Sequence, residues 1–159
     1  MASLFELRQS LVAYLSPQLC ASAEVVLEYP SEYIKPTQKL GIVSVGLEKV
    51  STVKGGQTFA GTSSEGELFA REMEITLRFD ILCREAENCH RIFDLLCSAL
   101  FLSQCPVEVT ELWCRGISHS SSGGGFLLPA QAGTRSYAAT LTEGADIGSF
   151  VVRTTKQST

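Results

Sequence analysis

None of the 13 basic residues of this chain stands beside another. A grip on nucleic acid needs clustered Lys and Arg to neutralise phosphates. Scattered cations and a net charge of −4 argue against one. They leave room for DNA that only passes by. No stretch approaches the ~18 consecutive apolar residues of a membrane-spanning helix, so none is expected. The opening MASLFELRQS carries Glu6 and Arg8 where a secretory leader would be apolar. With no leader expected, the six cysteines read as reduced thiols rather than a disulfide framework.

Catalytic signatures are missing too. Histidine is confined to His90 and His119. There is no CxxC pair and no HExxH. No GxxxxGK[ST] loop is present to cradle a phosphate, and no GxSxG elbow to present a nucleophilic serine. Charge itself is sparse. Charged residues make up 19%, against about 25% in soluble domains. Hydrophobic residues, at 45%, are at an ordinary level. Low charge with normal apolar content hints at surface covered by other subunits.

What is present reads as one domain of 159 residues. Leu4, Leu7, Leu11 and Leu15 recur at helical spacing and predict a helix over 3–16. Ser3 and Glu6 suit a capping box, and Pro17 is expected to stop the helix within a residue or two. EVVLEY, 24–29, predicts a short strand, and 30–36 a loop. GIVSVGLEKVSTV, 41–53, predicts a strand with Val43, Val45 and Leu47 on one side. The clearest strand is 69–83. Phe69, Met73, Ile75, Leu77, Phe79, Ile81 and Cys83 share one parity; Glu72, Glu74, Thr76, Arg78 and Asp80 share the other. Such alternation describes a sheet buried on one face and wet on the other. A helix is predicted over 86–103, with a favourable Glu87–Arg91 pair. Further strands are expected over 107–118 and 135–142, with SHSSSGGG, 118–125, as a turn. SFVVR is expected to add a short strand to a tail that then frays.

The densest chemistry lies in DILCREAENCHRIFDLLCSALF, 80–101. On a helix at 100° per residue, Cys89, Phe93, Leu96 and Leu100 form the centre of the apolar face. Cys89 is then a core position, where a free thiol behaves as a small hydrophobe. Cys83 has the inward parity of the preceding strand. His90, Asp94 and Cys97 share one flank at i, i+4 and i+7, a conceivable three-ligand set lacking the spacing of known zinc sites. Cys20, Cys105 and Cys114 are dispersed. HSSSGGG, from His119 to Gly125, lacks the lysine of a phosphate loop and reads as a hairpin connection. Asp80 and Glu85 flank a strand end and read as a solvated face. No catalytic, cofactor or metal residue is assigned.

The segment KGGQTFAGTSSEGE, 54–67, shows no periodicity and contains four glycines. A structureless connection of that length is uncommon inside a compact domain and is often ordered by a partner. Lys54, Gly55, Gly56, Gln57, Thr58, Phe59, Ala60, Gly61, Glu65 and Glu67 are the expected contact residues.

Read in order, GIVSVGLEKVSTVKGG, EMEITLRFDILC, CHRIFDLLCSALF and VTELWCRGISHSSSGGGFLLPAQAGTRSYAATL resemble the tail terminator, or tail completion, proteins of long-tailed phages and phage-like contractile particles. The resemblance spans residues 3–142 and lies in the pattern of apolar runs and turns. It implies an α+β fold, a single domain over 1–145 with a mixed, mostly antiparallel sheet and helices packed on one face, then a tail over 146–159. It further implies a hexameric ring on the end of the tail tube, which stops tube growth and joins the neck or head. The implied partners are copies of the chain, the tail tube protein, and sheath and connector proteins. DNA is only passing cargo, and there is no catalysis, cofactor or membrane. The implied place is a virion tail or phage-like particle assembled in the bacterial cytoplasm. Three alternatives stay open: another tail or neck component, such as a head–tail joining, minor tail or tube protein; a non-catalytic α+β binding module; and a thiol enzyme.

Overall fold

The computed structural model describes residues 4–28, 40–56, 58–102, 104–120, 125–143 and 146–153. It is an α+β domain built on one mixed sheet. The chain runs α1 (Leu4–Leu19), β1 (Ala23–Leu27), β2 (Gly41–Thr52), β3 (Thr58–Ser63), β4 (Gly66–Cys83), α2 (Ala86–Leu100), β5 (Val109–Cys114), β6 (Ser118–Ser120), β7 (Gly125–Glu143) and β8 (Asp146–Arg153). The central path is β1-β2-β4-β7-β5. β1 and β2 are parallel, and every other pairing is antiparallel.

The alternation in β4 decides which face is core. Ile75, Leu77, Phe79, Ile81 and Cys83 are buried. Across β2 they face Val50, Leu47, Val45, Val43 and Gly41, and across β7 they face Thr134, Ala132, Ala130, Leu128 and Phe126. Both helices close over this side. Leu7, Leu11, Leu15 and Leu19 of α1 and Cys89, Ile92, Leu96, Ala99 and Leu100 of α2 join the same cluster. The small Ala130 and Ala132 on β7 leave room beneath α2, as interdigitating layers require. The Tyr14 hydroxyl donates to the Ala99 carbonyl at 2.8 Å. It ties α1 to one of the last carbonyls of α2, which also accepts from Leu102 N at 3.3 Å.

The opposite face of the sheet bears Arg78 between Glu48 (3.6 Å) and Asp80 (2.9 Å). Trp113 Nε1 donates there to Gln131 Oε1 at 2.9 Å. Partly exposed ion pairs such as those of Arg78 contribute little, about 0–1 kcal/mol each.

Four expected element boundaries are corrected. α1 continues three residues past Ser16, with Pro17 inside its last turn. Pro17 is exposed, the Ser16 hydroxyl donates to the Val12 carbonyl at 2.6 Å, and burial of Leu19 rewards the extra turn. α2 ends at Leu100, capped by Phe101; Ser103 and the capping residue Ser3 lie outside the described residues. The strand expected over 107–118 is divided into β5 and β6. The last strand expected over 135–142 starts ten residues earlier, at Gly125. Pro129 hid that start, because a central strand rarely admits proline. The register explains it. The Pro129 carbonyl accepts from Arg115 N at 2.9 Å, so it points away from β4. Its missing N–H lies on the same side, where the chain leaves the sheet between β5 and β6. The ladder with β4 is therefore uninterrupted.

Candidate functional site

The segment over 54–67 is not the structureless loop its composition suggests. Thr58–Ser63 folds back on the start of β4 through a turn at Ser64 and Glu65. Its glycines do specific work. Gly61, at φ 137°, sits at the bulge where Ala60 is the extra residue, and Gly66, at φ 142°, starts the return strand. Left-handed backbone of this kind is open mainly to glycine. Phe59 meets Phe69 edge-on at 6.0 Å, and Thr58 Oγ1 donates to the Ala70 carbonyl at 3.2 Å. Lys54, Gly55, Gly56, Thr58, Phe59, Ala60, Glu65 and Glu67 are exposed, and Gly61 is half-buried. Gln57 lies outside the described residues.

This hairpin belongs to a larger unit. After Thr52, β2 gives up its place beside β4, and β3 takes it. Likewise β8 stands beside the outer part of β7, from Tyr137 to Glu143, as β5 stands beside the inner part. The result is a four-stranded antiparallel arm, β3-β4-β7-β8, continuous with the main sheet. Its local apolar cluster, Ala70 with Leu68, is separate from the main core. Among the described residues β3 pairs only with β4 and β8 only with β7, so both edges of the arm have one neighbour. Phe59 is 60% exposed on it. Sequence reasoning singled out this segment but missed the arm. Glycines read as breakers conceal a bulged hairpin, and β8 falls where the pattern fades.

The cysteine-rich stretch lies at the other end of β4. Cys83 is 3% and Cys89 0% exposed. The Cys89 thiol lies 3.5 Å from the Phe126 carbonyl and 3.8 Å from that of Ile81. Burial, then the hydrogen bond and charge of Cys89, push the Cys83 thiol from 9.0 up to about 12. Burial also raises Cys89, with the hydrogen bond from Cys83 opposing. Cys97 is raised by burial first, then by neighbouring Asp94 and Cys114. A nucleophilic cysteine needs the opposite shift. His90 is exposed on α2, and the His119 ring packs edge-on against Phe126 at 5.5 Å. Asp94 is exposed and Cys97 half-buried, on one flank of α2. Among the described residues no group of three or more His, Cys, Asp or Glu is placed to hold a metal. Nor is any described helix long and apolar enough to cross a membrane. The centre of α2's buried face includes Ile92 and Ala99, with Phe93 only half-buried, a small rotation from the projected face.

Three outcomes are expected from these thiols. Cys89→Ala should destabilise the fold by about 1–2 kcal/mol, the loss of a small buried group, read from a urea midpoint at constant m-value. Alkylation of the native protein at neutral pH should modify Cys20 and Cys114, which are exposed, and spare Cys83, Cys89 and Cys105 until unfolding. The sign of the pH dependence follows. An unfolded Cys83 ionises near its ordinary 9.0 and a folded one near about 12. Its contribution to stability is thus whole below 9.0 and is lost progressively as pH climbs toward about 12. Stability that rises over that window would contradict the burial of this thiol.

A scan against models of known protein families finds no match to this chain, and a search of curated proteins finds none similar in sequence.

Proposed function

We propose that the protein is a structural component of a phage tail or phage-like particle: a tail terminator that caps the tail tube as a closed ring. The ring ends tube growth and supplies the joint to the neck or head. The observation that supports this most is the arm β3-β4-β7-β8, whose two outer strands each have one described neighbour. Open strand edges invite further strands, and closure is the one arrangement that removes them. A ring of identical subunits closes when each gives one patch and receives a different one. The exposed Phe59 and the sparse charge suit a surface buried by neighbours. The resemblance of the sequence to tail terminators sets the expected number at six and the expected partners as the tube end, sheath and connector. The place of action in this reading is the virion tail or particle, assembled in the host cytoplasm, with DNA only passing through the lumen. The reading assigns no catalysis and no cofactor.

The same edges suit a tube protein, which stacks without limit. Negative-stain electron microscopy of the purified protein separates the two. Single closed rings are expected, and extended tubes would reassign the chain to the tube itself. A monomer or dimer at all concentrations by light scattering would favour a binding module and remove the ring reading.

A further inference from the structure

We draw no further inference here: the strongest candidate, the helix-free face of the sheet around Asp80, Leu82 and Leu127, is half-buried and carries an unpartnered buried carboxylate oxygen on Asp80, but nothing in the structure shows what covers it.

Discussion

Leu77→Asp is expected to abolish folding. Leu77 is 0% exposed in the middle of β4. Its cross-strand neighbours are Leu47 on β2 and Ala132 on β7, and it belongs to the cluster that both helices close. Among the described residues that cluster is apolar throughout, so a carboxylate there meets no cation in it. It must either stay charged without a partner or take up a proton, and either route costs several kcal/mol. Total stabilities are only about 5–15 kcal/mol. The variant should appear as insoluble protein or as a chain without a cooperative unfolding transition. The control lies one residue away. Thr76 is on the other parity, half-buried on the helix-free face, between Lys49 and Gly133. Glu111 reaches over Gly133, so an aspartate at 76 would have a cation on one side and a carboxylate on the other. These effects oppose each other, and Thr76→Asp should change stability by less than about 1 kcal/mol, as surface substitutions do. If Leu77→Asp unfolds cooperatively near the wild-type midpoint, the core has been misplaced. If Thr76→Asp is as damaging in the monomer, the second face of the sheet is covered too.

Removing the β3 hairpin is expected to leave the fold standing and take assembly away. The variant joins Lys54 to Glu67 by a short Gly-Ser turn in place of residues 55–66. Among the described residues β3 pairs with β4 alone, and the arm's cluster of Ala70 and Leu68 is separate from the main core. The strands beneath the helices keep all their partners, because β2 still pairs with β4 from Gly41 to Thr52. The loss is therefore limited to one edge strand and the contact of Phe59 with Phe69. An unfolding transition within a few degrees of wild type is expected. Rings should be absent by electron microscopy. On the tail-terminator reading proposed above, a particle producing this variant in place of the native protein should show tails that overgrow or fail to join heads. Phe59→Ser tests the same surface with a smaller change, since 60% of that residue is already exposed. A shortened variant that folds, forms rings and caps tubes at normal length would show that the hairpin takes no part in assembly. One that fails to unfold cooperatively would show instead that the arm supports the domain.

Strand β4, both helices and the identity of their buried faces were legible in the residues. Alternation from Met73 to Cys83 leaves one choice of inner face, because a one-residue slip would turn every apolar side chain to water. The leucines of α1, four residues apart, do the same for a helix, and all of Leu7, Leu11 and Leu15 are buried. Cys89 could be placed in the core on projection alone, and Glu87 and Arg91 meet at 2.6 Å as their spacing requires. These are local properties. They depend on periods of two and 3.6 residues, which the order of amino acids carries without help.

Tertiary structure decided the rest, for one physical reason: the register between paired strands is a property of two segments together, and the period of either one does not carry it. Pro129 argues against a central strand until the register shows its missing donor turned away from β4. Gly61 and Gly66 look like punctuation until β4 is laid beside them, and then they are the positive-φ positions of a bulged hairpin. No periodicity marks where β3 succeeds β2 along β4, or where β8 succeeds β5 along β7. Each exchange sets a local hairpin pairing, β3 on β4 or β8 on β7, end to end with a pairing to a more distant segment, β2 on β4 or β5 on β7. The amino-acid order alone therefore determined the inner faces of α1, β4 and α2, while the core residues Leu128, Ala130 and Ala132 of β7 came only with its pairing to β4. The arm, with its single-neighbour edges, exists only once the long strands β4 and β7 are paired, because a strand edge belongs to a sheet and not to any one segment.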